Sequence, residues 1–162
     1  MQSAPATNGS NEEALSLHGS QSTIVAGMRH KKCSGSMRFL IIDDEEHIRK
    51  TTAVVLEAMG HETVGAETAA VALKQLASDD FDVAFLDLKL SGESGLDLLP
   101  ELLKINPQLE VVVFTAYASI ETAVEAIRRG AIDYIPKPFT PEQVRQVLGK
   151  ILRARKLQSR VA

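Results

Sequence analysis

Five polar residues, each following an apolar segment, have the chemistry of a site for phosphoryl groups. Asp43 and Asp44 follow the first such segment, and Asp87, Thr115 and Lys137 follow three later ones. Carboxylates gathered in one crevice repel each other unless a cation joins them, and oxygen ligands without histidine or cysteine favour Mg²⁺, with Mn²⁺ as a substitute. A lysine can neutralise one oxygen of a phosphoryl group, a threonine hydroxyl can donate to another, and an aspartate can accept the group covalently.

The elements that must position these residues alternate regularly from residue 37 onward. The hydrophobic pattern predicts five strands, over residues 38–42, 61–66, 81–86, 111–114 and 132–135. Helical patterns follow, over residues 48–59, 68–77, 95–105 and 119–129 and from residue 140 onward. Because the central strands are apolar throughout, both of their faces must be buried, which favours a parallel sheet between helices. The prediction is a single doubly wound, flavodoxin-like α/β domain with five strands in the order 2-1-3-4-5 and five helices.

Residues typical of helix ends support these bounds. Ser119 and Thr140 stand where N-caps are expected, and Gln143 can complete a capping box with Thr140. Gly60 and Gly130 follow two of the helical patterns, where glycine commonly ends a helix. The predicted helices therefore begin and end at residues with a physical reason to be there.

The sheet topology explains how residues from distant segments can form one site. The carboxyl ends of parallel strands lie at the same edge of a sheet, and ligands bind there where the strand order reverses. The first and third strands are neighbours at that point, so Asp43, Asp44 and Asp87 should converge, flanked by Thr115 and Lys137. Taken singly, each residue has an ordinary explanation as a helix cap, strand end or turn residue. Their joint placement carries the prediction.

Composition narrows the class of protein. The chain has 162 residues, of which 44% are hydrophobic and 24% charged, which suits one globular domain with residues to spare. A net charge of −3 gives no electrostatic case for nucleic-acid binding by this chain. The single cysteine, Cys33, excludes an intrachain disulfide. Because no apolar run approaches a membrane span and the N-terminus is a poor signal peptide, we expect a cytoplasmic protein without membrane contact.

The chain divides into three predicted regions. Residues 1–36 are rich in Ser, Gly, Asn, Gln and Thr, which predicts a disordered N-terminal tail and leaves Met1 and Met37 as alternative start sites. Residues 37–152 are predicted to form the domain, and residues 153–162 the end of the last helix or a linker. Several basic residues lie near that end, and we interpret them as a solvated helix surface rather than a DNA contact.

Four stretches of the predicted domain resemble the receiver domain of bacterial two-component response regulators. They are residues 39–45, 85–87, 113–116 and 134–139, and the resemblance extends from residue 37 to about residue 152. It implies that a sensor histidine kinase donates a phosphoryl group to Asp87. It also implies that Asp44 and Asp87 bind Mg²⁺ through their carboxylates, Asp43 through water and Lys89 through its main-chain carbonyl.

Some residues depart from the commonest receiver pattern or occupy its variable positions. Ser91 stands where a proline usually follows the acceptor loop, and Ser94 where an aspartate often precedes the glycine. Neither is expected to touch the chemistry, so both are interpreted as affecting loop shape alone. Lys89 and Tyr117 lie two residues after the acceptor and after Thr115, where their side chains are expected to control water access and the lifetime of the phosphorylated state.

The resemblance also predicts a switch. Tyr134 stands where the receiver pattern has an aromatic side chain that turns inward when Thr115 closes on the phosphoryl group; its ordinary interpretation is a half-buried tyrosine with a surface hydroxyl. The response would be a population shift in the face made by the fourth helix, fifth strand and fifth helix, with self-association through that face. Residues 115–124 resemble nitrogen-regulator-type transcription activators, which carry an ATPase and a DNA-binding domain. The chain is then either a truncated piece or a single-domain regulator.

Three other classes are less consistent with the sequence. A haloacid-dehalogenase-type phosphohydrolase needs a second aspartate two residues after the nucleophile, where this chain has Lys89. A flavodoxin-like nucleotide or flavin module needs a Gly-, Ser- or Thr-rich loop after the first strand, where residues 43–46 are all acidic. A phosphorylation-independent receiver-like interaction domain usually lacks a site residue, and none is missing. The domain is not expected to be an enzyme, apart from self-phosphorylation by small donors and loss of its own phosphoryl group.

Overall fold

The computed structural model describes residues 35–161, with side chains as far as residue 158. The predicted disordered tail over residues 1–36 therefore lies outside the described residues, except for Gly35 and Ser36. None of the helices in the described range combines the length and apolar character needed to cross a membrane.

Five parallel strands form one sheet, as predicted. The strands of the described chain, in order, are β1 (Arg38–Ile42), β2 (Glu62–Ala66), β3 (Val83–Leu86), β4 (Lys89–Leu90), β5 (Glu93–Ser94), β6 (Glu110–Thr115) and β7 (Asp133–Pro136). The sheet has the order β2-β1-β3-β6-β7, which is the predicted 2-1-3-4-5 order of its parallel strands. β1 therefore lies between β2 and β3, at the point where the strand order reverses.

Helices cover both faces of the sheet, and each begins within two residues of its predicted start. They are α1 (Glu46–Ala58), α2 (Ala69–Ser78), α3 (Gly95–Ile105), α4 (Ile120–Arg128) and α5 (Pro141–Val161). Ser119 and Thr122 form a capping box at the start of α4. At the start of α5, Gln143 donates its N–H to the Thr140 hydroxyl at 3.2 Å, and its side chain accepts from Thr140 N–H at 2.8 Å. The predicted capping box of α5 is thus confirmed.

The core has two layers because successive side chains of each strand point to opposite faces. One layer packs Leu40 and Ile42 of β1 against α2, α3 and α4. The other packs Phe39 and Ile41 against α1 and α5. A line of four contacting aromatic rings runs through this second layer: Phe39, Phe85, Phe114 and Phe139. Burial on both faces is what the continuously apolar strands predicted, and it holds the carboxyl ends of β1, β3 and β6 in fixed positions.

A short hairpin between β3 and α3 was not predicted. β4 and β5 pair antiparallel, and the turn between them includes Gly92 with φ +74°, a conformation that glycine adopts without strain. Leu90 is buried in the core, and the Glu93 carboxylate accepts a hydrogen bond from Ala69 N–H at 3.3 Å, at the start of α2. The hairpin after Asp87 is therefore held in place by the burial of Leu90 and by the hydrogen bond of Glu93 to the start of α2.

Gly95 begins α3 where there is no room for a side chain. A Cβ atom there would lie 2.2 Å from the carbonyl oxygen of Asp87 and 2.7 Å from Cα of Leu88. Gly95 N–H also donates to the Leu88 carbonyl at 2.8 Å. The start of α3 therefore rests directly on the backbone that carries Asp87.

Helix α5 continues without interruption past residue 152, the predicted end of the domain. Arg155 forms ion pairs with Asp82 at 3.0 Å and with Glu110 at 3.1 Å, and its guanidinium also donates to the Asp82 carbonyl at 3.1 Å. Asp82 precedes β3 and Glu110 begins β6, so this contact lies at the amino end of the sheet. The helix is still attached to the domain three residues beyond the predicted boundary, which itself stays a prediction.

Candidate functional site

The three predicted carboxylates converge at the carboxyl edge of the sheet. β1 and β3 are neighbours with Ile42 opposite Leu86, so the residues that follow them, Asp43 and Asp87, come out side by side. Asp87 N–H donates to the Ile42 carbonyl at 2.9 Å, which fixes this register beyond the end of the strand. Asp43, Asp44 and Asp87 each offer an oxygen, and these three oxygens lie within 4.8 Å of one another. This cluster of carboxylate oxygens could hold one metal ion.

Lys137 reaches the same place from the end of β7. Its ammonium donates to Asp43 Oδ2 at 2.5 Å and to Asp87 Oδ2 at 3.0 Å. Its backbone N–H donates to the Thr115 carbonyl at 2.8 Å, and its ammonium lies 4.7 Å from the centre of the Phe114 ring. The sequence suggested contact with one acceptor oxygen; here the lysine bridges two carboxylates and partly offsets their repulsion.

Burial and charge work against each other in this ion pair. Burial raises the pKa of the Asp43 carboxyl above its ordinary value, although the hydrogen bond from Lys137 opposes that rise. Burial alone would lower the pKa of Lys137, but its hydrogen bonds to Asp43 and Asp87 outweigh burial, and the pKa is raised. The lysine is therefore held in its charged form, and that charge is what makes a carboxylate at the buried Asp43 position acceptable.

The three carboxylates differ in accessibility. Asp43 is fully buried, Asp87 is 5% exposed and Asp44 is exposed. Asp87 Oδ1 accepts a hydrogen bond from Lys89 N–H at 3.2 Å, so its carboxylate is held from two sides. Asp44 Oδ2 accepts a hydrogen bond from the Ser91 hydroxyl at 2.8 Å. The prediction that Ser91 affects loop shape alone is therefore wrong, since the hairpin turn brings its hydroxyl to Asp44.

The two predicted switch residues make hydrogen bonds at the two ends of the connection between β6 and α4. Thr115 is fully buried, and its hydroxyl accepts a hydrogen bond from Tyr117 N–H at 3.2 Å. The Tyr134 ring packs half-buried against the core, and its hydroxyl shares a hydrogen bond with the Thr122 hydroxyl at 3.0 Å. Since Thr122 also belongs to the capping box of α4, the Tyr134 hydroxyl is linked to the start of that helix.

Lys89 and Tyr117 contact each other. The Lys89 ammonium donates to the Tyr117 hydroxyl at 3.1 Å and lies 4.2 Å from the centre of its ring. Both residues are exposed. Because Lys89 follows Asp87 by two residues and Tyr117 follows Thr115 by two, this contact joins the loops after β3 and β6.

Arg49 was not singled out from the sequence. Its guanidinium donates to the carbonyl oxygen of Asp43 at 2.6 Å, from the second turn of α1. Gly65 on β2 leaves space for it, since a Cβ there would lie 3.3 Å from Arg49 Cδ. In the sequence it is marked only as an arginine six residues after Asp43, and that signal is too weak to use without the fold.

A family model described as the response regulator receiver domain matches residues 39–149. Among curated proteins, the alginate biosynthesis transcriptional regulatory protein AlgB of Pseudomonas putida is 41% identical over 124 residues, which is 76% of this chain and 28% of the relative. The DNA-binding transcriptional regulator NtrC of Azospirillum brasilense is 34% identical over 113 residues, 70% of this chain and 24% of the relative. The chain thus spans about a quarter of the length of these relatives.

Solved structures match in the same region. NtrX from Brucella abortus is 41% identical with a TM-score of 0.73, covering 78% of this chain and 29% of that one. A response regulator protein from Burkholderia pseudomallei, solved with a phosphorylated aspartic acid, a calcium ion and citrate, is 36% identical with a TM-score of 0.68. It covers 78% of this chain and 73% of its own.

The Lys137 bridge should be energetically coupled to Asp43. Lys137→Met leaves a buried carboxylate without its cation, so we expect the free energy of unfolding to fall by about 1–3 kcal/mol. Asp43→Asn in the same chain should recover part of that loss, giving a positive coupling in a double-mutant cycle. Urea unfolding in the presence of EDTA measures all four proteins.

A matched control is Lys150→Met. Lys150 pairs with Asp133 at 3.4 Å, but both side chains reach solvent, so the change should stay within about 0.5 kcal/mol. Equal effects of Lys137→Met and Lys150→Met would contradict the assigned role of the Lys137 bridge.

Proposed function

The chain belongs to the family of response regulator receiver domains, and on that premise we propose that Asp87 accepts a phosphoryl group from a sensor histidine kinase. The observation that carries the assignment is the difference among the three carboxylates. Asp43 is fully buried behind the Lys137 bridge, and Asp44 is exposed and bonded to Ser91. Asp87 contacts Lys137 and, unlike the fully buried Asp43, keeps a small exposed surface of 5%, which an attacking oxygen needs.

The reaction is a transfer between two nucleophiles. A carboxylate oxygen of Asp87 forms a bond to phosphorus as the bond between phosphorus and the kinase histidine nitrogen breaks, and the nitrogen keeps the electron pair. Lys137 is already within hydrogen-bond distance of Asp87, so its ammonium can hold a phosphoryl oxygen after a small movement. Thr115 supplies a hydroxyl to another oxygen once it releases its bond to Tyr117 N–H.

A divalent cation fits the donor set. Three carboxylate oxygens lie within 4.8 Å of one another, and among the residues that the structure describes no histidine or cysteine joins this cluster, which suits Mg²⁺ or Mn²⁺. We assign Asp43, Asp44 and Asp87 as its holders, with the Lys89 main-chain carbonyl as a further ligand. When bound, the cation would neutralise negative charge that collects on the phosphoryl oxygens.

Two rival functions receive less support. A phosphohydrolase of the aspartyl-nucleophile type lacks its acid, because the side chain two residues after Asp87 is Lys89, which contacts Tyr117. A phosphorylation-independent interaction domain would not require all five site residues, and they are all present. The proposed function includes transcriptional output through further domains. It also includes a cytoplasmic location, where the domain meets the kinase.

We expect Asp87 to be the sole phosphoacceptor. With acetyl phosphate and Mg²⁺, wild type should gain one acid-stable, base-labile phosphoryl group, and Asp87→Asn should gain none, because the other carboxylates are buried or turned to Ser91. Intact-mass spectrometry gives the result. Asp44→Asn is the matched control: it should be labelled more slowly, and at higher Mg²⁺, but still on Asp87.

Full labelling of Asp87→Asn would remove the acceptor assignment. Equal labelling of wild type with and without EDTA would contradict the proposed requirement for a divalent cation. If wild type accepts nothing from any donor or kinase, the phosphorylation-independent function becomes the better one.

The Lys89–Tyr117 contact should slow hydrolysis of the phosphorylated form, since it covers the approach of water beside Asp87. Its hydrogen bond and cation–π contact are worth about 1–1.5 kcal/mol together at an exposed site, so Tyr117→Ala should shorten the lifetime by up to about tenfold. Tyr117→Phe keeps the ring and should have a smaller effect. The decay of the labelled mass after donor removal measures this, and an unchanged or longer lifetime in Tyr117→Ala would refute it.

The output face should include α4, whose exposed stripe of Ile120, Val124 and Ile127 lies beside the Tyr134–Thr122 contact. A movement of Tyr134 would break a bond to the α4 capping box and change how this stripe is presented. We expect beryllofluoride, a mimic of the phosphoryl group, to raise the mass of wild type toward a homodimer, and not that of Asp87→Asn. Light scattering over a wide concentration range is the test. A constant mass would exclude the dimer switch and leave another partner for this face.

A further inference from the structure

Asp44 is the most exposed of the three carboxylates, and its contacts differ from those of the other two. Asp43 accepts from Lys137 and from Glu45 N–H at 2.9 Å, and Asp87 accepts from Lys137 and Lys89 N–H. Within the described part of the chain, the Ser91 hydroxyl is the hydrogen-bond donor to the Asp44 carboxylate, at 2.8 Å from Oδ2. The orientation of Asp44 therefore depends on one side chain rather than on the Lys137 bridge.

Ser91 itself is held in place by the hairpin. Leu90 before it is buried in the core, and Glu93 after the turn pairs with Leu90 in the ladder. The Glu93 carboxylate also accepts from Ala69 N–H at 3.3 Å. Because the turn is fixed by these contacts, the Ser91 hydroxyl is presented to Asp44 without a separate ordering cost for the loop.

A hydroxyl bond to one carboxylate oxygen leaves lone pairs free for a cation. A carboxylate has about four acceptor positions on its two oxygens, and the Ser91 hydroxyl occupies one of them. A side chain that is held before the cation arrives loses less conformational freedom when it binds. Partners of this kind orient metal ligands in many sites, and their removal typically weakens metal binding about 10- to 100-fold.

We propose that Ser91 is a positioning residue for the divalent cation: its hydroxyl holds the Asp44 carboxylate facing Asp43 and Asp87 and thereby strengthens Mg²⁺ binding. This rests on the metal site of the proposed function. The commonest receiver pattern has proline at this position, and proline has no hydroxyl to offer. Because the contact reaches solvent, we expect an effect at or below the lower end of the usual range, roughly three- to tenfold.

The test is a Mg²⁺ titration of the full chain, followed by the melting temperature, which rises as the native state binds metal. Ser91→Ala should require roughly three- to tenfold more Mg²⁺ for the same rise, with little change in the melting temperature in EDTA. Ser91→Thr keeps a hydroxyl and should stay close to wild type. Ser94→Ala is the matched control, since it removes the other serine of the hairpin, whose side chain does not cap α3, and it should leave the titration unchanged.

The outcomes separate this inference from the function on which it rests. If wild type responds to Mg²⁺ and Ser91→Ala responds identically, the inference is wrong and the metal site stands. Tighter binding by Ser91→Ala would also overturn it, because the hydroxyl would then compete with the cation for Asp44. If wild type does not respond to Mg²⁺ at all, and Asp44→Asn behaves the same way, the metal site and the inference both fail.

Discussion

The ammonium of Lys137 lies between two carboxylates that belong to neighbouring strands, and the arrangement of the site depends on this contact. Asp43 is fully buried, and a carboxylate in that position without a cation would carry most of its desolvation cost. The lysine can reach both partners only because β1 and β3 are adjacent and β7 ends on the same edge. The strand order is thus a condition for the charge balance, and the charge balance keeps the carboxylates of Asp43 and Asp87 together.

Much of the fold and the core of the site could be predicted from the sequence because strong local rules apply there. The continuously apolar strands predicted burial on both faces, and the capping residues Ser119 and Thr140 placed the starts of α4 and α5. Parallel topology then required Asp43 and Asp87 to lie close together, because they follow the carboxyl ends of two adjacent strands at the same edge of the sheet. These conclusions rest on periodicity and connectivity, which do not depend on how individual loops are folded.

The contacts that could not be predicted involve loops and partners distant in sequence. Ser91 and Asp44 are 47 positions apart, and their bond depends on a two-residue turn that is visible only once β4 and β5 pair. The Lys89–Tyr117 contact likewise joins two loops, across 28 positions. Arg49 donates to the backbone carbonyl of Asp43. Because every residue has such a carbonyl, no residue type in the sequence could identify the partner of Arg49. Side-chain contacts between loops therefore depend on loop conformations that local sequence patterns do not determine.

The ion pairs of Arg155 with Asp82 and Glu110 affect how another protein can be fused to the end of this domain. Asp82 directly precedes β3 and Glu110 begins β6, and the opposite ends of these two strands lead to Asp87 and Thr115. A fusion made just after residue 152 would remove Arg155 and its ion pairs, and the junction could then change its orientation relative to the sheet. A fusion made after residue 158 would keep the Arg155 ion pairs, so the end of α5 would stay fixed to the sheet. The choice of junction therefore decides whether the orientation of the attached protein is coupled to the domain.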